Sequence, residues 1–170
     1  MVLISVAISL YTAGVDINQP LIYLQKGYKH GKAYYFCARE LPMKEYATGN
    51  RVVLEKRAAE SFVDMVSDAA KDGFHIKVNH SYRTYWEQKR LKRRKGDLAA
   101  KPGWSDHQVG RSIDIIGTRR LINGKHYRTI LYWWLRKNAS KYGFYEDVAG
   151  EKWHWTYYEK GEEPKWIANN

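Results

Sequence analysis

The spacing of apolar residues predicts three helices along the chain. Apolar residues of the first helix recur three or four positions apart: Leu54, Ala58, Phe62, Met65 and Ala69. Gly73 marks the end of this helix, and a second helix is expected from about Thr84 to Lys95. Apolar residues at 130, 131, 134, 135 and 142 indicate a third helix, which Gly143 ends.

Short apolar or alternating runs between these helices predict strands. They lie at 33–37, 74–80, 109–116 and 152–158, and the apolar run Met1–Leu10 predicts a further buried strand, with a degenerate export signal as the alternative. Helices and strands interleave without a regular βαβ rhythm. This arrangement predicts an α+β fold with a small, mostly antiparallel sheet packed with helices.

Length and composition bear on the number of domains and on the kinds of partner. The 170 residues predict a single domain, 1–170, and no apolar run reaches the length needed to span a bilayer. The formal net charge of +11 favours binding to polyanions of any kind, including nucleic acid and anionic cell-wall polymers. Charge alone does not distinguish among these partners. The lone cysteine, Cys37, allows no internal disulfide and is expected to be a small buried apolar residue.

The segment SDHQVGRSID at 105–114 carries the first candidate chemistry. Asp114 stands among isoleucines in a run that predicts a buried strand, so its carboxylate needs a cation, several donors or a metal. His107 lies seven residues earlier, and Gly110 between them permits a tight turn that lets the two side chains meet. Alone, the pair favours the structural interpretation of a buried aspartate bonded to backbone amides and a surface histidine.

The segment EKWHW at 151–155 adds a second pair. Glu151 and His154 are three residues apart, so on a fully extended chain they would point to opposite faces of a strand. A loop leading into the strand would turn both toward one ligand. Together the two segments supply two histidines, an aspartate and a glutamate, which satisfy a hydrolytic zinc site of three ligands plus a separate general base.

A third element, SYRTYWEQ at 81–88, lies at a strand-to-helix junction. Arg83 is a fixed cation at the strand end, and Gln88 stands about one turn into the helix. An arginine at that place can stabilise the oxyanion of a tetrahedral intermediate. A surface ion pair is the structural alternative.

These three segments, in this order, resemble the D-alanyl-D-alanine carboxypeptidases of the VanY type. The shared pattern is Ser-Tyr-Arg-(Ser/Thr)-x-x-x-Gln, then Ser-x-His-x-x-Gly-x-(Ala/Ser)-x-Asp, then Glu-x-Trp-His, and the resemblance covers roughly 52–158. The wider group of zinc peptidases also contains D-Ala-D-Ala dipeptidases and phage L-alanyl-D-glutamate endolysins. The resemblance implies a hedgehog/D-Ala-D-Ala peptidase-like fold with the zinc site at the sheet and a metallopeptidase catalytic core at 52–158.

The resemblance also implies a role for each matching residue. Zinc is expected on His107, Asp114 and His154, with Glu151 as the general base and acid and Arg83 on the substrate carbonyl. Ser105 and Gln88 are expected to contact substrate or orient the ligands. Ser112 stands where alanine is usual in the family, a small-for-small change expected to be harmless.

Several alternatives stay open at the level of sequence. The main hypothesis is a zinc peptidase that removes the terminal alanine of peptidoglycan stem peptides; the runner-up is a phage-type endolysin that cuts within the stem. The basic run at 89–95 is either a binding site for an anionic polymer or a solvated helix face, and a basic polyanion-binding module without catalysis is the alternative from another class. No nucleic-acid partner is expected, the protein is expected to be a monomer, and the cell wall or periplasm is the expected site of action.

Overall fold

The computed structural model describes residues 21–163, which form three small sheets and three α-helices. The predicted strand at Met1–Leu10 lies outside the described residues. In chain order the elements are β1 (Ile22–Lys29), β2 (Lys32–Lys44), β3 (Arg51–Glu55), α1 (Lys56–Lys71), β4 (Val78–His80), α2 (Tyr85–Lys95), β5 (Ser112–Ile115), β6 (Arg119–Ile122), β7 (Lys125–Arg128), α3 (Ile130–Asn138), β8 (Phe144–Tyr145) and β9 (His154–Tyr157). The predicted α+β class with mostly antiparallel sheets is confirmed.

An antiparallel sheet of β1, β2 and β3 precedes the first helix. The prediction covered only 33–37 within β2 and missed β1, because the segment mixes polar and apolar residues without a strict alternation. A tight turn at His30 and Gly31, both with positive φ, joins β1 to β2. Cys37 is exposed on this sheet, so its predicted burial was wrong: its neighbours Phe36 and Ala38 take the buried face.

Helix α1 buries one apolar face, as its spacing predicts. Ala58, Phe62, Met65 and Ala69 have no exposed surface. Leu54 does not belong to this face, since it lies in β3 and reaches the same core from the sheet. The helix ends at Lys71, and Gly73 follows at φ +82°, a conformation that glycine adopts without strain.

The central sheet has the strand order β4-β5-β9-β8. Its strands are shorter than the predicted runs at 74–80, 109–116 and 152–158, because each run includes the turn that leads into its strand. The core lies between this sheet, α1 and α3, where the rings of Phe62 and Phe144 meet edge to face at 5.8 Å.

The second and third helices begin and end near their predicted positions. Thr84 caps α2 and shares a capping box with Glu87. α3 ends at Asn138, continues as a 3-10 turn and stops at Gly143. The exposed hairpin β6–β7 was not predicted. Among residues 21–163, no helix is both long and apolar enough to cross a bilayer.

Candidate metal and catalytic site

Three residues of the predicted constellation converge in one buried cluster. His107, Asp114 and His154 each offer a ligand atom within 4.8 Å of the others, and all three are buried. Oδ1 of Asp114 lies 3.3 Å from Nε2 of His107 and 3.2 Å from Nδ1 of His154. The structure thus places two imidazole nitrogens around one carboxylate oxygen.

Strands β5 and β9 place two of these side chains by register. Asp114 is the direct partner of His154, and Ser112 is the partner of Thr156. Since alternate residues of a strand face opposite sides, all four side chains share one face of the ladder. The intervening residues of both strands, Ile113 and Trp155 among them, pack into the hydrophobic core. The alternation of residues along β5 and β9 therefore places the hydrophobic core on one face of the ladder and the polar site on the other.

A short 3-10 turn, Asp106–Val109, brings His107 to the same face. Gly110 ends the turn at φ +76°, and a Cβ there would lie 2.7 Å from the ring of Phe36. The Nδ1 of His107 lies 2.7 Å from the carbonyl oxygen of Ser81, which can only accept. His107 therefore carries its proton on Nδ1 and directs the Nε2 lone pair at the cluster.

Nε2 of His154, the ring nitrogen that faces away from Asp114, contacts the polar side chains of Thr156 and Asp147. This nitrogen lies 3.1 Å from Oγ1 of Thr156, which donates to Asp147 over 3.1 Å. The buried carboxylate of Asp147 also approaches Nε2 to 3.7 Å and accepts from the hydroxyl of Tyr158. With Nε2–H donating to this group, Nδ1 is free to serve as the ligand atom.

Electrostatics within the cluster keep the carboxyl group of Asp114 ionised. Burial alone would raise the pKa of Asp114, yet His107 and His154 hold the pKa of this carboxyl well below its usual range. Burial lowers the pKa of His107. Burial also disfavours the charged form of His154, but its hydrogen bond to Asp114 and the charge of that carboxylate outweigh this and raise its pKa. His154 is the imidazole that holds a proton most readily when no metal is bound.

Arg83 enters the site from the junction between β4 and α2, as predicted. Its Nη2 lies 4.0 Å from Oδ2 of Asp114, and its Nη1 donates to Oε1 of Gln88 over 2.7 Å. Gln88 is fully buried and uses its amide nitrogen to bond the carbonyl oxygen of Ala100. Gln88 therefore lies behind Arg83 and orients its guanidinium.

Glu151 sits in the turn before β9. The backbone N–H of His154 donates to the carbonyl oxygen of Glu151 over 2.9 Å, which is the turn that the three-residue spacing required. The side chain is half-buried, and this desolvation raises its pKa, with the charge of His154 opposing and that of Asp114 adding to the shift. The charges of His154 and Asp114 therefore both act on the carboxyl group of Glu151.

The remaining predicted residue, Ser105, precedes the 3-10 turn and is buried, and its hydroxyl does not cap that turn. Asp147 and Thr156 were not predicted. The sequence could have identified Thr156, since it lies two residues after His154 on a strand and must share its face. It could not have identified Asp147, because Asp147 lies in the loop before the Glu-x-Trp-His motif.

The donor set fits a divalent transition ion. Two imidazole nitrogens and one carboxylate oxygen match the ligand types of catalytic zinc, which binds three protein groups and leaves one position open. Each histidine also has an acceptor on its other nitrogen, namely Ser81 for His107 and Thr156 for His154. Such outer bonds are a regular feature of zinc-binding histidines.

Comparison with known sequences finds one family over most of the chain. The family described as VanY, D-alanyl-D-alanine carboxypeptidase, matches residues 51–160. A D-alanyl-D-alanine carboxypeptidase of Enterococcus faecium is 33% identical over 124 residues, 64% of this chain and 38% of that protein. The putative carboxypeptidase YodJ of Bacillus subtilis is 30% identical over 125 residues, 61% of this chain and 46% of that protein. This chain spans less than half the length of both relatives.

Solved structures share the fold. The LD-carboxypeptidase LdcB superposes with a TM-score of 0.56 at 26% identity, covering 73% of this chain and 69% of that one. The vancomycin-resistance D,D-pentapeptidase VanY, solved as a complex with Zn(II), superposes with a TM-score of 0.50 at 24% identity, covering 69% and 79%. The likeness confirms the predicted peptidase-like architecture.

Proposed function

Because the chain belongs to the VanY D-alanyl-D-alanine carboxypeptidase family, we propose that it removes the terminal D-alanine from peptidoglycan stem peptides with the help of zinc. The observation that carries the proposal is the buried cluster of His107, Asp114 and His154, with Arg83 beside it. These residues fall within the part of the chain that the family covers. The relatives named above, a D-alanyl-D-alanine carboxypeptidase and a putative carboxypeptidase, support the same reaction.

Zinc would be held by Nε2 of His107, Nδ1 of His154 and the carboxylate of Asp114. When bound, it supplies Lewis acidity to the scissile carbonyl and to the attacking water. The Zn(II) complex of the VanY relative supports the choice of metal, as do the nitrogen and oxygen donors of the cluster.

Glu151 performs the proton transfers of the reaction. A half-buried carboxylate with a raised pKa can accept a proton from the attacking water and then give it to the departing amine. The C–N bond breaks as the new C–O bond is retained, so the products are the shortened peptide and free D-alanine. Since one residue acts first as base and then as acid, its protonation state is restored at the end of each cycle.

Arg83 stabilises the negative charge that develops on the carbonyl oxygen. Gln88 accepts a hydrogen bond from Nη1 of Arg83 and so fixes the guanidinium, which therefore loses little orientational entropy when the substrate binds. The nearby Asp114 keeps the guanidinium in the site rather than in solvent.

A protein that hydrolyses peptidoglycan stem peptides acts at the cell wall. A vancomycin-resistance D,D-pentapeptidase among the structural neighbours supports this site of action.

The test is mass spectrometry of muropeptides that contain pentapeptide stems. We expect the zinc-loaded protein to shorten each stem by one alanine, and a chelator to abolish this loss. Release of a longer fragment would indicate an endopeptidase instead. No change in either sample would contradict the proposed hydrolysis.

A further inference from the structure

A cleft of about 380 Å³ adjoins the candidate site on the side of Arg83. Its walls come from different parts of the chain: Tyr23 of β1, Arg51 of β3 and Arg94 of α2 all line it. The hydroxyl of Tyr82 joins these parts, because it accepts from Gln25 over 3.0 Å and donates to the carbonyl oxygen of Lys26. We call this space the arginine cleft.

Four arginines line the arginine cleft: Arg51, Arg83, Arg90 and Arg94. Arg83 faces Asp114, as described above. Within residues 21–163, the other three have no carboxylate within 4.0 Å. All three are exposed to solvent. As far as the described part of the chain goes, the cleft therefore presents guanidinium groups that are available to bind an anion.

Two carboxylates also line the cleft, and each accepts hydrogen bonds from neutral donors. Oε1 of Glu45 accepts from the backbone and the hydroxyl of Ser81, and Oε2 accepts from Thr48. Oε2 of Glu87 accepts from the backbone and the hydroxyl of Thr84. With four arginines against two engaged carboxylates, the lining stays positive by two charges.

The basic run of α2 is divided between two surfaces. Leu91 and Arg94 face the arginine cleft. Lys89 and Arg93 lie beside Trp86 on a separate hollow and do not line the cleft; Arg90 borders both. A general attraction for polyanions would use the whole run equally, whereas a built site depends on the cleft side alone.

We propose that the arginine cleft binds a carboxylate of the substrate peptide that lies away from the scissile bond. This inference rests on the proposed function, because Arg83, which is proposed to contact the scissile carbonyl, also lines the cleft. Guanidinium groups match a carboxylate as paired donors, and Tyr23, Val53 and Leu91 offer apolar surface for the methylene groups that carry it.

The experiment compares two pentapeptides that end in D-Ala-D-Ala and differ only in their internal carboxylates, free in one and amidated in the other. Binding is measured by calorimetry on the zinc-loaded Glu151→Ala protein, so that hydrolysis does not interfere. The test variant adds Arg51→Gln and Arg94→Gln. The matched control adds Lys89→Gln and Arg93→Gln, which remove the same charge from the other surface.

We expect the cleft variant to bind the free-carboxylate peptide about 10- to 100-fold more weakly and the amidated peptide within about twofold of the parent. The control should bind both peptides within about twofold of the parent. Equal losses in the two double variants would overturn the proposal in favour of general attraction. So would equal losses for the two peptides.

Inorganic polyphosphate serves as a further probe. Polyphosphate binding that depends on Arg51 and Arg94, with peptide binding that does not, would assign the cleft to a phosphate polymer and overturn the proposal. Binding is read without turnover, so the two hypotheses are separable. A wild-type protein that shows the expected preferences but cleaves neither peptide contradicts the hydrolysis and supports the cleft assignment.

Discussion

Asp114 and His154 face each other directly across the β5–β9 ladder, and their side chains meet at 3.2 Å on the face opposite the core. Backbone hydrogen bonds rather than loop geometry thus set the spacing of these two groups. His107 adds the third group from a turn that a left-handed glycine ends. A site built on strands in this way is held rigidly before any ligand binds.

Removing a ligand and removing the base should have different effects. We expect His154→Ala to lose both stoichiometric zinc and activity. Glu151→Ala should keep zinc while turnover falls by about 100- to 10,000-fold, the usual contribution of acid–base catalysis. Elemental analysis and release of D-alanine measure the two effects. A Glu151→Ala protein with near-normal turnover would remove Glu151 from the mechanism.

Thr156 should matter for zinc affinity although it is not a ligand. Thr156→Val keeps the shape of the side chain but removes the acceptor for Nε2–H of His154. We expect zinc affinity, measured by competition with a chromophoric chelator, to fall about 10- to 100-fold. Ser112→Ala is the matched control, since its hydroxyl bonds Thr156 without touching His154. Equal affinities in the two variants would contradict the role of Thr156.

Zinc affinity should decrease as the pH falls. The pKa of His154 is raised in the metal-free protein, so below that pKa a proton occupies the site and zinc must displace it. The effect is absent above the raised pKa and grows to about tenfold per pH unit below it for one displaced proton. Chelator competition across the acidic range measures the slope. A flat profile would show that no ligand is protonated in the free site.

Gln88 should affect catalysis through Arg83. Gln88→Leu removes the acceptor that fixes Nη1, so we expect kcat to fall about tenfold while zinc content stays stoichiometric. Gln88→Glu keeps an acceptor for Arg83 and should recover part of the loss. Steady-state kinetics with zinc analysis tests both variants, and unchanged kcat in the leucine variant would show that Arg83 needs no such support.

The core should be sensitive at Phe62. Its ring is fully buried against Phe144, and Phe62→Ala is expected to lower the free energy of unfolding by about 3–5 kcal/mol. Val63 is exposed on the same helix, so Val63→Ala should change stability by no more than about 0.5 kcal/mol. Urea denaturation compares the two. A loss at Phe62 no larger than at Val63 would contradict the assigned packing.

Local sequence patterns predicted most of the elements that carry the site. The apolar run around Asp114 and the three-residue spacing of Glu151 and His154 both depend on neighbouring residues, and the strand and the turn they imply are present. The position of Arg83 at a strand-to-helix junction was likewise local information. Strand register then brings His154 to Asp114, which spacing alone could not specify.

Features that depend on contacts distant in sequence were not predictable. Asp147 reaches His154 because β8 pairs antiparallel with β9, so the residues that follow β8 run beside the start of β9. Cys37 was predicted to be buried from its residue type, yet it lies on the exposed face of β2, opposite the face on which Phe36 and Ala38 are buried. Leu54 lies four residues before Ala58, as in a helix, but it belongs to strand β3. A buried apolar residue at this position fits a helical and a strand pattern equally well, so the spacing could not distinguish them.

The β1–β2 hairpin lies ahead of residues 51–160, the part of the chain that the family covers, yet it forms one wall of the arginine cleft. Every residue assigned here to bond cleavage lies on the other side of that boundary. The four arginines of the cleft also lie within residues 51–160, so the hairpin contributes to the shape of the cleft and not to its charge. Substitutions at Tyr23, whose side chain lines the cleft from β1, would therefore reshape the space around a bound peptide and leave the guanidinium groups in place.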